Sequence, residues 1–225
     1  NFATAVAGSG GVVAGGASSA DTTTNSTTEA LIKTSTVADS FLVGVTDGTV
    51  DINATHTALF GGSVDSTQAS LIGASGASLD HQVTATVNSS LGDYARVWAA
   101  NLTIDAASYV HNFFLGESAY GLDGFAPAAF DAGGAAWNVD SGSGGLLNLP
   151  AGKANVNITQ DTLANVGTAA DIWLLKPTSG ISALEIEAYN EVITHQKAKL
   201  DSAGAIATAK SVVELAAVQK ATVTI

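Results

Sequence analysis

The stretch Ser141–Ala154, SGSGGLLNLPAGKA, has an echo near the start of the chain, where Ala7–Ala20 reads AGSGGVVAGGASSA. At an offset of 134 residues, Gly8, Ser9, Gly10 and Gly11 match Gly142, Ser143, Gly144 and Gly145. A looser copy, DSAGAIATAKS, runs from Asp201 to Ser211, with Gly204 standing where Gly144 stands. Each copy is a tight small-residue turn followed by an apolar pair: Val12-Val13, Leu146-Leu147 and Ala205-Ile206. A turn-then-strand unit that recurs along a chain buries its apolar face by stacking on its own copies. A layered architecture follows.

The patterning between these units is that of strands. HQVTATVNSS at 81–90, NLTIDAASYV at 101–110 and the body of Asn155–Val166 are short β-branched runs. Asp47-Gly48 is a turn or hairpin signal between apolar runs, and Gly61-Gly62 is a further small-residue break. DTTTNSTTE at 21–29 permits two readings, a polar linker or a strand whose outward face is a Thr ladder. The stretch 181–225 admits a helix on local grounds, with Leu184, Ala188 and Val192 at helical spacing. Period two fits the whole of it better. From Ala205 to Ile225 the odd positions are mostly apolar, while Thr208, Lys210, Glu214, Lys220, Thr222 and Thr224 are even.

Hydrophobic residues make up 46% of the chain, but aromatics only 6%, so alanine and branched aliphatics must fill closely spaced layers. Short strands with frequent turns suit a sandwich or a solenoid, and unequal spacing of the same turn unit favours the solenoid. The expected fold from the residues is therefore an all-β solenoid, one segment spanning 1–225. At about 20 residues per coil, roughly 11 coils would make a rod on the order of 50 Å long. Thr and Asn at matching coil positions would form ladders, and few charges are expected because like charges stacked at that spacing repel.

The segment 111–137, HNFFLGESAYGLDGFAPAAFDAGGAAW, breaks this rhythm and reads as an inserted loop. Its rings, Phe113, Phe114, Tyr120, Phe125, Phe130 and Trp137, have an expected place packed on the flank of the coil as a satellite core. The sharper alternative is a contact surface for a sugar or another chain, and these six residues are its candidates.

Charge excludes several classes of function. The net charge is −12, with seven lysines and one arginine, so a phosphate backbone or an anionic membrane is a poor partner. The chain has no cysteine for disulfides or thiolate metal sites, and no apolar run long enough to span a membrane. It contains no methionine and ends on ATVTI, which reads as mid-strand, so a segment of something larger is expected.

DSGSGGL at 140–146, IEAYNEVITHQKAKLDSAGAIATAKSVVELAAVQKATVTI at 186–225 and NFATAVAGSGGVVAGGASSADTTTNSTT at 1–28 together resemble the repeat region of large bacterial filamentous adhesins. These are the haemagglutinin-like or leukotoxin-like exoproteins exported by two-partner secretion. The resemblance implies a right-handed parallel β-helix, an outer-membrane secretion partner, an extracellular or cell-surface location, and a role in attachment or biofilm scaffolding. A surface glycan, a protein receptor, or copies of itself end to end would be its partners. The aromatic segment is longer than the family's usual repeat.

Catalytic chemistry has no motif here. Parallel β-helices include enzymes acting on acidic polysaccharides, which gather carboxylates on neighbouring coils with a basic residue. In this sequence the carboxylates are scattered singly apart from Glu185/Glu187 and the region of Asp123 and Asp131, and Arg96 stands alone beside Tyr94 and Trp98. His56, His81, His111 and His195 show no ligand spacing and read as solvated or satisfied strand histidines. The GSGG turns lack the spacing of a phosphate loop, and Asp47-Gly48 or Asp123-Gly124 alone make weak calcium sites. No catalytic residue, cofactor or metal ligand is assigned. A polysaccharide-acting enzyme and a self-assembling fibre subunit are the alternatives to an adhesive segment.

Overall fold

A computed structural model describes residues 1–34, 36, 42–112, 138–194 and 196–225. Among the described residues there is no helix, and the strands are β1 (Phe2–Ile32), β2 (Leu42–Gly44), β3 (Thr49–Leu91), β4 (Arg96–Ala99), β5 (Asn101–Asn112), β6 (Val139–Gly144), β7 (Leu147–Val166), β8 (Asp171–Leu174), β9 (Ala183–Ile193), β10 (Ala198–Ala203), β11 (Ile206–Ala207) and β12 (Lys210–Thr224). The protein is all-β, and its pairings are parallel. The Thr/Asn run 21–29 is strand within β1, not a linker, and 183–193 and 210–224 are strand, as the period-two reading requires.

Register shows how a parallel sheet is made from one curled chain. Phe2 pairs with Gly61, Val64 with Val139, and Val139 with Ala198, so the chain returns to the same place after about 60, 75 and 60 residues. Val13, Ile72, Leu147 and Ile206 form one column through four layers. This corrects the expected coil of about 20 residues and the stack of roughly 11 coils. One turn here is about three times longer, and the described chain is four layers deep.

The small-residue units explain the difference. Gly8 pairs with Thr67, and Thr67 with Gly142, so the two matching copies lie in one column with a turn lacking the motif between them. Each copy is one corner of a long turn, not the corner of every short coil. Gly11 and Gly145 both have positive φ, 153° and 152°, and both sit at this bend. A Cβ on Gly145 would lie 1.7 Å from the Ser70 carbonyl oxygen, so no side chain fits there. Gly204 belongs to the column of Gly145, one place from the expected match to Gly144, because Ala203 pairs with Gly144.

A turn has four walls. A tip wall (residues 2–10, 61–69, 139–144 and 198–203) bends at the glycine corner into a long wall (72–91, 147–166 and 210–224, with 13–32 in the first layer). A short wall (42–44, 96–99 and 171–174) and a return wall (49–60, 101–112 and 183–193) complete it. The 43 residues of β3 are continuous because the return wall of the first layer runs directly into the tip wall of the second.

Burial alternates along these walls because side chains of a strand point alternately to its two faces. Inward Val87 and Leu91 of the long wall meet Val97 and Ala99 of the short wall and Ile52, Leu102 and Ile104 of the return wall in one apolar cluster. A second cluster joins Phe60 and Val110 to Val83, Val156 and Ile158, and a third fills the tip with Ala20, Val64, Leu79, Val139 and Ala154. The odd positions of β12 extend the inward columns of Leu79, His81 and Val83, as the alternation over 205–225 implies.

Between the apolar clusters runs a polar belt that ties the facing walls together. Ser26 Oγ lies 2.8 Å from His56 Nε2, Gln160 donates to the hydroxyl and carbonyl of Ser108, and Thr162 donates to Asn190 Oδ1. Gln219 of the fourth layer donates to Gln160 Oε1 at 2.9 Å. These groups answer one another across the core, which is the condition for burying them.

Candidate functional site

The six aromatic residues singled out in the sequence (Phe113, Phe114, Tyr120, Phe125, Phe130 and Trp137) lie outside the described residues. His111 and Asn112, the first two residues of the expected inserted loop, instead close strand β5, and the rest of that segment, 113–137, lies outside the described residues. His195 also lies outside the described residues.

Two other aromatic groups emerge from the columns. On the outer face of the short wall, Trp98 of β4 pairs in register with Trp173 of β8, and Arg96 with Asp171. The indoles meet edge to face, with centroids 5.6 Å apart and planes at 77°. Each is 42% exposed; Trp98 is carried on a strand whose inward neighbours Val97 and Ala99 are buried, whereas beside Trp173 Ile172 is partly buried and Leu174 exposed. The next residue in the column is Gly44, which brings no side chain beside Trp98. Arg96 Nε approaches Asp171 Oδ2 at 3.4 Å, and both side chains remain about half exposed. That separation is longer than a tight charge-assisted hydrogen bond, so both groups keep capacity for further partners.

On the outer face of the return wall, Tyr109 and Tyr189 pack with centroids 5.7 Å apart, and Tyr109 also touches the ring of His111. His111 Nε2 is 2.8 Å from Glu191 Oε1, while the Tyr189 hydroxyl donates to Glu191 Oε2 at 2.9 Å. Those bonds lower the Glu191 pKa, the Tyr189 hydroxyl contributing most. The same carboxylate raises the Tyr189 phenol, first through that hydrogen bond and then through its charge. Asp105 and Glu187 occupy the adjoining column, and Asp105 is pushed up by burial and then by Glu185. Carboxylates that look scattered in sequence are thus gathered on one face, because parallel register aligns strands far apart in the chain.

A third outward feature lies on the tip wall, where Asp65, Asp140 and Lys199 stack in one column. Like charges in neighbouring layers repel. Lys199 relieves this by reaching Asp140 at 3.7 Å and contacting Asp201 more closely. Burial is the main cause raising the Asp140 pKa, and Lys199 opposes it.

Each of the three described histidines has a hydrogen-bond partner on a ring nitrogen, but Nε2 of His81 and Nδ1 of His111 are buried without one, so these two rings are only half satisfied. His56 meets Ser26, His81 Nδ1 lies 2.5 Å from the Thr22 hydroxyl, and His111 meets Glu191. Asp47 accepts from both the amide and the hydroxyl of Thr178. Among the described residues no three His, Cys, Asp or Glu side chains converge as a metal site. No helix among them is long and apolar enough to cross a membrane. A scan against protein-family models gives no match, and searches of curated proteins and of solved structures give none.

The short-wall site was half visible in sequence. Arg96, Tyr94 and Trp98 stand together there, but Trp173 and Asp171 join them only through register with a strand 75 positions later.

Proposed function

We propose that this chain is a right-handed β-helical segment of a secreted filamentous adhesin, serving as a rigid spacer that presents contact surfaces at the cell exterior. The observation that carries the reading is the continuity of columns through four layers, Val13–Ile72–Leu147–Ile206 and its neighbours, built on turns of about 60 to 75 residues. Such a stack is stiff along its axis because each layer is hydrogen-bonded to the next over most of its length. It also repeats exposed side chains in fixed rows, which suits attachment better than a hinged catalytic cleft. The resemblance of the two ends of the chain to filamentous adhesins supports the same reading. In that setting the parent protein would leave the cell through an outer-membrane secretion partner and contribute to attachment or biofilm. Beads coated with the chain should adhere to cell or glycan-coated surfaces more than beads coated with a carrier protein alone. Equal retention on every surface contradicts the adhesive reading.

One observation favours a second reading. The Tyr109–His111–Tyr189–Glu191 group, with Asp105 and Glu187 beside it, assembles carboxylates and a basic residue on neighbouring layers. A polysaccharide lyase or hydrolase uses that combination. Release of unsaturated products or new reducing ends from pectin- or alginate-type polymers would establish it, and their absence would remove it.

A further inference from the structure

We infer that the Trp98–Trp173 pair, with Arg96 and Asp171, is a binding platform for neutral pyranose sugars. The inference rests on the adhesive reading above and names the ligand class of one contact surface.

Three observations carry it. First, two large indole surfaces are held exposed on one sheet, Trp98 on a strand whose inward Val97 and Ala99 are fully buried and Trp173 on one whose inward Ile172 packs against the same core. Rings fixed in this way offer apolar area without losing further conformational freedom when a ligand arrives. Second, the 77° angle between the rings makes a corner, one indole face meeting the edge of the other. A flat apolar partner would not fill a corner, whereas a saturated ring with one C–H face and a rim of hydroxyls presents different surfaces to its two sides. Third, polar groups stand one strand position pair away. Arg96 lies two residues before Trp98 and Asp171 two before Trp173, on the same outward face. Their 3.4 Å contact leaves donors and an acceptor for hydroxyls that point away from the indoles.

Charge selects among sugars. The protein carries −12 overall, and the platform's own charges cancel between Arg96 and Asp171. An acidic polymer would meet long-range repulsion with one guanidinium to offset it, while a neutral glycan would not. Gly44 at the first-layer end of the column leaves the site open beside Trp98, so a ligand longer than one ring has room to extend across the layers.

The test uses the full chain, with folding of each variant checked by circular dichroism and thermal melting. Neutral oligosaccharides (glucose, mannose, galactose and N-acetylglucosamine oligomers) and acidic ones (galacturonate and alginate oligomers) are screened on an array. Hits are titrated by intrinsic tryptophan fluorescence. The expected result is binding of at least one neutral oligomer, a change in indole emission, and at least roughly tenfold weaker binding in Trp98→Ala and Trp173→Ala. Trp98→Phe should keep part of the affinity, and Tyr189→Phe, on the return wall, should keep all of it. Binding that survives both alanine substitutions, binding of acidic oligomers alone, or no binding by the folded chain overturns the platform. Concentration-dependent self-association abolished by Trp98→Ala would also overturn it, by assigning the patch to a second copy. If coated beads still adhere while the platform variants bind normally, the sugar site falls and the adhesive reading stands.

Discussion

The side-chain amide of Gln160 donates to both the hydroxyl and the carbonyl of Ser108, at 2.9 and 3.1 Å, and so joins the long wall to the return wall across the core. The same amide reaches the Glu191 carbonyl at 3.3 Å, while its oxygen accepts from Gln219. One side chain therefore connects residues of the second, third and fourth layers.

Replacing Gln160 with Leu should preserve volume but strand these partners in a buried setting. The expected loss is about 2 kcal/mol, within the range for a buried polar group left unsatisfied. Ser108→Ala should cost less, because the carbonyl bond survives. Urea denaturation of both single variants and of the double variant measures the coupling. Additive losses would show that the two residues do not act as a pair.

The glycine corner offers a steeper test. Gly145→Ala forces a Cβ to within 1.7 Å of the Ser70 carbonyl and an unfavourable φ on the new side chain. A destabilisation of at least about 2 kcal/mol is expected. Gly15→Ala, where nothing lies within 4 Å of the added carbon, should be close to neutral. Equal midpoints for the two variants would contradict the corner.

Acid sensitivity should centre on His81. Its ring is fully buried, meets Thr22 and packs edge-on to Phe60, and burial lowers its pKa from 6.5 to about 4, with Asp80 opposing. The folded pKa is the lower one, so between these values the unfolded chain binds a proton that the folded chain refuses. Stability from this group is complete above about pH 6.5, declines as the pH falls toward 4, and levels off below, a total of about 3 kcal/mol. His81→Gln should flatten that part of the stability profile. An unchanged slope in the variant would count against His81 as its source.

The connection after β8 is tied back to the first layer by Asp47, whose carboxylate accepts from both the amide and the hydroxyl of Thr178. Those bonds hold the Asp47 pKa below its usual value. The sign is that of a depressed carboxyl: the tie is intact above the ordinary Asp range and is lost as the pH falls through the lower, folded value. Asp47→Ala should speed hydrogen exchange at the Thr178 amide while leaving the amides of β7 protected. Protection at Thr178 that survives the substitution would show that the connection is held by other means.

The sequence revealed parity and corners but not the length of a turn. Because an apolar phase is local information, alternation over 205–225 assigns Val213, Leu215 and Ala217 to the columns of inward Ala154, Val156 and Ile158, although in this last layer they are exposed. Turn length is not local. The glycine units at 8–11 and 142–145 are two turns apart, and the intervening corner, Thr67–Ser70, carries none of their glycines. The bend needs glycine in the first and third layers but not in the second, and Gly92 and Gly167 close another bend where an added Cβ would also clash, so glycine spacing does not report the length of a turn. The outer aromatic groups were hidden for a related reason. Tyr109 and Tyr189, or Trp98 and Trp173, are neighbours through register, and the connections between their strands differ in length.

Register is also where the account is most directly tested. The chain has no cysteine, so a pair introduced at Thr27 and Thr86 would be unique. These residues face outward in one column of the first and second layers. A short bis-maleimide applied to dilute Thr27→Cys/Thr86→Cys protein should join them within one chain, as read by mass spectrometry of the digest. Thr27→Cys/Ser78→Cys, with Ser78 in the column of Ser19, should remain unlinked. Failure of the first pair to link, or equal linking of both, would contradict turns of about 60 residues stacked in parallel register.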